Sequence, residues 1–400
     1  MSEATADPRY RRKPPKRPLR LSWSDERIRG IVWQILVVGA VGAVLYWLWS
    51  NTVHNLEVRR IATGFGFLQR EAGLPIAESL IRYDPTDTYL RALTVGVLNT
   101  LKVSVIGIVL ATILGTIIGI ARLSKNFLVS RLAGFYVEVI RDLPLLLQLL
   151  FWYTILQGLP GPRQALQPLS GVFLSNRGMK LPALVWESAH TAAVLAFLAG
   201  IVLTWAYARQ ARAKQMADGQ PRRIWPAAVA LLIGLPLLTW QAMGAPWTID
   251  WPALRGFNFQ GGMNISPEYT ALLIGLVTYT AGFIAEVVRA GILSVSQGQW
   301  EAAQALGLRH GQVLRLIVMP QALRVIIPPM TSNYLNLTKN SSLAVAIGYQ
   351  DIVSIANTTL NQTGQAIEGI AIIMMVYLSI SLSISLFMNW YNAKIALVER

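Results

Sequence analysis

Residues 301–320 read EAAQALGLRHGQVLRLIVMP and lie between two long apolar segments. The stretch carries Glu301, Arg309, His310 and Arg315, so it cannot cross lipid at low cost and belongs outside the hydrocarbon core. Ala302, Ala303, Ala305 and Leu306 favour a short helix after Glu301. Gly307 can end that helix, because glycine adopts backbone angles that other residues resist. Val313, Leu314, Ile317 and Val318 then share one apolar face at helical spacing, and Pro320 is set to open the next helix. The spacing predicts two short amphipathic helices, at an angle, on a membrane surface.

The rest of the chain supplies that membrane. Of 400 residues, 54% are hydrophobic and only 14% are charged, against about 25% charged in a soluble domain. The net charge of +15 is spread over a tail and particular loops rather than one basic domain, which argues against nucleic acid as a partner. The absence of cysteine excludes disulfides, cysteine metal sites and cysteine nucleophiles.

In chain order, 1–29 is a basic, proline-containing tail with too little apolar material for a core. Apolar runs follow at 31–49, 95–121, 132–157, 191–208, 225–243, 269–295, 325–347 and 370–390, about eight spans of membrane-crossing length. The long charged lead before residue 31 disfavours a cleaved signal peptide. With the N-terminus in the cytoplasm, an even number of spans puts the basic loops 122–131, 209–223 and 309–315 all inside, as the positive-inside rule requires. Both termini are then cytoplasmic. The expected organisation is a basic cytoplasmic tail over 1–29, an extra helix over 30–50 and a periplasmic segment over 51–90. A transmembrane domain follows over 91–390, with an inserted loop and helix pair at 159–262 and the polar hinge at 297–320, and then a cytoplasmic C-terminus over 391–400.

Some spans carry more than grease. Gly107, Ala111, Gly115 and Gly119 recur every four residues, a stripe that lets another helix approach closely. Ser332, Asn333, Asn336, Lys339 and Asn340 form one polar stripe on the seventh span, flanked by Thr331, Thr338, Ser341 and Ser342. Such groups are costly against lipid, so the stripe should face a bundle interior or a water-filled path, with helix-to-helix hydrogen bonding as the competing role. Lys339 could instead sit near the outer surface and snorkel. Glu138 with Arg141, and Glu286 with Arg289, are each spaced to pair at i,i+3 as structural supports.

The pattern of Glu301, Ala302, Ala303, Gly307, Ile317 and Pro320 resembles the "EAA" loop of ATP-binding-cassette (ABC) importer permeases, with Met319 where the family usually has leucine. The segment VEVIRDLPLLLQL, 137–149, is similar to the "E-x-x-R-G-x-P-L-L-x-Q" of permeases for polar amino acids, with Asp142 in place of glycine. FIAEVVRAGI, 283–292, resembles that family's "E-x-x-R-G-G-I", with Ala290 for the first glycine. The resemblance covers roughly 90–390 with a break, and the enlarged form is similar to permeases of general L-amino-acid importers. It implies an all-α polytopic membrane protein with a five-helix type I importer core, to which one N-terminal helix and a helix pair are added. It implies a cytoplasmic ABC ATPase dimer docked on the EAA loop, a second homologous permease that forms a heterodimer with this one, and a periplasmic amino-acid-binding protein. It also implies a bacterial inner-membrane location.

Other chemistries are missing from the sequence. No G-x-x-x-x-G-K-[ST] loop occurs, so ATP and Mg would be bound by the partner and this chain would hold no cofactor of its own. His54, His190 and His310 are far apart, with no metal-ligand spacing. With that resemblance, the reading from sequence is a non-enzymatic permease subunit translocating L-amino acids. An ion-coupled secondary transporter would need mid-membrane acids, and a membrane scaffold would need neither the polar stripe nor the hinge.

Overall fold

The structure, a computed structural model, describes residues 26–59, 63–220 and 222–395. Most of the basic tail at 1–29, and the last residues of the C-terminus at 391–400, lie outside the described residues. The chain divides into two units, 1–64 and 65–400. The first holds one helix, α1 (Glu26–Val58), with Trp33, Val38, Tyr46 and Trp49 all exposed. An uncharged apolar run exposed on every side is suited to lipid rather than water.

The second unit is built on α2 (Tyr89–Ala121) and α8 (Pro267–Leu293), which run in the same direction in direct contact. The small-residue stripe of α2 makes this possible, since Gly107, Ala111, Gly115 and Gly119 are all buried. A Cβ on Gly119 would lie 2.7 Å from the carbonyl oxygen of Ala285. Removing side chains from one face is what lets the two backbones meet. Around this pair stand α4 (Leu145–Gln157), α11 (Met319–Asn340) and α13 (Ala366–Ile395), antiparallel neighbours or flanks of the same core. Among the described residues seven helices are long and apolar enough to cross a membrane, or up to eight if the bent pair below is one span.

That pair departs from expectation. The third span, 132–157, is not one helix. It is α3 (Phe127–Asp142) and α4, bent by 104°. Pro144 has no N–H to donate, and Leu143 before it takes the extended angles φ −90 and ψ 129 that proline demands of its predecessor. With its 13 residues, α4 is only about 20 Å long.

The polar hinge also differs. A short helix α9 (Gln297–Ala305) ends at Gly307, whose φ is +74. The second short helix is not separate: α10 (His310–Val313) continues through a π-helical turn (Leu314–Val318) into α11. Pro320 removes a backbone donor in the first turn of α11, and the wider turn absorbs the break. The side chain of Gln321 donates to the carbonyl of Ile317 at 3.0 Å.

Two further features were not expected. A short helix α12 (Ile352–Thr363) begins at Asp351, whose side chain accepts from the N–H of Ser354, and ends at Gly364 with φ +72. It packs with α2 and residues 67–74 in a second apolar core. The insertion carries α5 (Ser188–Asp218), α6 (Trp225–Val229) and α7 (Leu235–Ala242), with α6 and α7 joined by a π-helical turn. The loops on either side of this hairpin form strands. β1 (Leu166–Leu169), β2 (Val172–Ser175), β3 (Gly178–Leu181) and β8 (Met263–Ile265) make one antiparallel sheet in that order. Two two-stranded ribbons join them, β4 (Ala183–Leu184) with β5 (Ile249–Asp250) and β6 (Ala253–Arg255) with β7 (Asn258–Gln260). Otherwise the architecture is helical.

Candidate coupling surface and translocation path

The segment 297–320 is held by one face and presents the other. Gly307 closes α9 with two bonds: its own N–H reaches the Gln304 carbonyl at 2.9 Å, and the N–H of Leu308 reaches Ala303 at 3.3 Å. That turn brings Trp300 against His310, ring centroids 5.7 Å apart and nearly parallel. Ala303, Val313 and Val318 are buried in the same core as Val288 and Ile326, so the segment is packed onto both α8 and α11. Glu301, Ala302, Gln304, Arg309, Gln312 and Arg315 are exposed. Leu306, which the sequence pattern did not single out, is 80% exposed at the tip. Of the six residues matching the EAA pattern, Glu301, Ala302 and Gly307 face outward, Ala303 is buried, and Ile317 and Pro320 are half-buried.

Between α8 and α11 lies a cavity of about 250 Å³ lined by Asn333, Asn336 and Asn340 with Tyr279, Thr280 and Phe283. The three asparagines come from the polar stripe of the seventh span. The three α8 residues were missed, because an aromatic or threonine in an apolar helix reads as ordinary core until its neighbour across the gap is known. The remaining stripe residues do not line this cavity. Ser332 and Lys339 are exposed and outside its lining. Ser341 is buried and donates to the Thr338 carbonyl at 2.8 Å, and Thr338 donates in turn to Tyr334 at 3.0 Å. These hydroxyls satisfy themselves on their own backbone, which is how such groups stay cheap inside a membrane.

A charge cluster sits where the end of α2 and α3 meet α8. Glu286 of α8 accepts from Arg122, just past α2, and from Arg289 at 3.1 Å, with Arg141 of α3 at 3.9 Å. Glu138 and Arg141 do not pair with each other: Arg141 turns toward Glu286 and over the Phe283 ring, 5.0 Å from its centroid. Spacing allowed the i,i+3 pair, but a carboxylate on a neighbouring helix won the guanidinium. Arg122 was read from sequence only as a loop charge.

At the opposite end of α8, Glu78 forms a 2.9 Å ion pair with Lys102 and accepts from the N–H of Ser266 at 2.6 Å. Gln350 holds the residues just before Glu78, accepting from Ala77 N–H and donating to the Pro75 carbonyl, each at 2.7 Å.

A sequence profile for binding-protein-dependent transport system inner membrane components matches residues 230–397. Over 382 residues the chain is 53% identical to YhdX of Escherichia coli, covering 95% of this chain and 97% of that one. The chain belongs to the binding-protein-dependent ABC importer permeases. The permease is also 50% identical over 378 residues to AapQ of Rhizobium johnstonii, named a general L-amino acid transport system permease protein, with 94% of each chain covered. It is 43% identical over 423 residues to BztB of Rhodobacter capsulatus, named a glutamate/glutamine/aspartate/asparagine transport system permease protein, covering 97% of this chain and 99% of that one. The permease is a transport subunit that crosses the inner membrane several times.

Proposed function

We propose that the permease passes L-amino acids across the inner membrane in a complex driven by ATP. A separate ABC ATPase dimer binds ATP and Mg and docks on the outward face of 297–320. A second, non-identical permease completes the path, and a periplasmic amino-acid-binding protein delivers the ligand. Both termini and the segment 297–320 then lie in the cytoplasm, and the strands of the insertion lie outside. The relatives named for amino-acid transport along nearly their whole length support the substrate class.

One observation carries the reading. Residues 297–320 are anchored through Ala303, Val313 and Val318 to the core shared by α8 and α11, while Glu301, Leu306 and Arg315 stand free. A force on that free face reaches both helices that line the asparagine cavity. Closure of the ATPase would tilt α8 against α11 and open the cavity to alternate sides.

The asparagines supply amide N–H donors for a carboxylate and carbonyl acceptors for an ammonium group. No carboxylate lines the cavity, so an ion-coupled transporter, which needs an acid at that depth, is the weaker reading. The test is reconstitution of the permease with its ATPase and sister permease in proteoliposomes. Amino-acid uptake should require ATP inside and ignore an imposed ion gradient. Uptake that follows the gradient and persists without ATP would overturn the proposal.

A further inference from the structure

The charge cluster around Glu286 opens on a cavity that neither coupling nor translocation uses. It measures about 540 Å³ and is lined among others by Arg122, Arg131 and Arg289, with Ser130, Glu138 and Phe135. Three guanidiniums and one carboxylate, Glu138, line it. Glu286 takes up part of the charge of Arg122 and Arg289. Arg131 has no ion pair among the described residues, and its guanidinium lies 5.4 Å from the Phe127 ring centroid. The net charge offered to the cavity is positive.

Its wall is α3, and α3 is unlike its neighbours. Bent by 104° from α4, it runs from the end of α2 to the middle of α8, where Ile140 and Arg141 lie at Gly282 and the Tyr136 hydroxyl donates to the Thr278 carbonyl at 2.8 Å. Ser130 ties its first turns to the end of α2, donating to the Arg122 carbonyl at 2.9 Å. Phe127, Leu132 and Phe135 project from α3, 75%, 60% and 67% exposed. Leu132 and Phe135 also line the cavity. Exposed apolar side chains beside a basic recess give a lipid the two kinds of surface it needs.

From this juxtaposition we propose that the cavity between α3 and the ends of α2 and α8 binds the phosphate headgroup of an anionic phospholipid. The guanidiniums of Arg122, Arg131 and Arg289 take the phosphate oxygens, as arginine's fixed fork favours. The Ser130 oxygen, its hydrogen already given to the Arg122 carbonyl, accepts from a headgroup hydroxyl, and the acyl chains lie along Leu132 and Phe135. Glu138 faces the same space and disfavours a multiply charged anion. A soluble phosphate satisfies the arginines but leaves the apolar rim uncovered, so the lipid is the better fit. Basic recesses between helices at the cytoplasmic side of a membrane have this use generally.

The experiment uses the full-length permease, delipidated in detergent and titrated with phosphatidylglycerol or phosphatidylcholine under native mass spectrometry. The wild type should retain phosphatidylglycerol in preference to phosphatidylcholine. Arg131→Gln should weaken that retention about fivefold, the usual contribution of one basic residue at a membrane surface. Lys214→Gln, an exposed basic residue far along α5, should leave retention unchanged. Arg131 holds no ion pair, so the variant should melt like the wild type. Equal retention by Arg131→Gln and wild type, or no preference between the two lipids, would overturn the proposal. Displacement of phosphatidylglycerol by millimolar inorganic phosphate would assign the site to a soluble anion instead. Unchanged lipid retention with loss of the second permease from the purified Arg131→Gln complex would make the recess a subunit contact and equally refute the lipid.

Discussion

Gly115 of α2 lies against Ile284 of α8 so closely that a Cβ on the glycine would be 2.7 Å from the Cβ of Ile284. The carbonyl oxygen of Ala281 would be 2.9 Å from the same atom. Neither is the mobile tip of a side chain, so the two helices would have to separate. The expected consequence of Gly115→Leu is a permease destabilised by roughly 1–3 kcal/mol or more, the range for overpacking a filled interior. A thermal melt in detergent reads this directly. Gly134→Leu on α3, where nothing lies within 4 Å of an added Cβ, should melt close to the wild type.

Glu286 serves three arginines, Arg122 just past α2, Arg141 of α3 and Arg289 of α8, so its removal leaves several positive charges close together. The group is about one-third exposed (33%), and solvent moderates the effect. Glu286→Gln should destabilise the permease by about 1 kcal/mol. High salt should narrow the gap between variant and wild type, because added ions screen the remaining repulsion. A gap unchanged by salt would show that the cluster is not held electrostatically.

The outward face of 297–320 can be altered without touching the buried one. Leu306→Asp places a charge at the exposed tip. It should lower ATP-dependent uptake about tenfold, equivalent to roughly 1.4 kcal/mol at a docking contact. Melting of the isolated permease should not change, since Leu306 supports nothing in its own chain. Ala303→Asp, at a buried position, should lower the melting temperature instead.

The cavity separates two residues that share the polar stripe. Asn336 lines it and Lys339 does not. Asn336→Leu should slow uptake about tenfold. Lys339→Met should leave uptake kinetics and substrate range near those of the wild type. The opposite ranking, measured in proteoliposomes, would move the path to the exposed side of α11.

Asp351 is fully buried at the start of α12, and burial pushes its carboxyl up from 3.8 to about 7. The folded permease therefore holds a proton there that the unfolded chain has already released. Folding is favoured most below about 4, weakens as pH rises toward about 7, and is flat above that. Asp351→Asn keeps an acceptor for the Ser354 N–H and removes the titration. Melting curves from pH 5 to 8 should slope downward for the wild type and be flatter for the variant.

The periodicities that rest on one chain segment were legible without coordinates. The apolar spans, the glycine stripe of α2, the break at Gly307 and the polar stripe of α11 each follow from local spacing and from what lipid tolerates. So did the hinge as a surface segment, because its charges exclude it from the hydrocarbon. The insertion was legible only as a loop and a helix pair. Its strands are short, and β3 pairs with β8 across the whole helical hairpin, so no local run announces them.

What the chain alone determined is which segments prefer lipid, which must avoid it, and which faces are small or polar. Tertiary structure decided the partners. It chose Glu286 over Glu138 for Arg141, brought Arg122 to α8, paired β3 with β8, and set three α8 side chains opposite three asparagines. Each of those outcomes depends on distances between segments far apart in sequence. A spacing rule knows only one helix, whereas a charge or an amide takes whichever neighbour the packed backbones bring within reach.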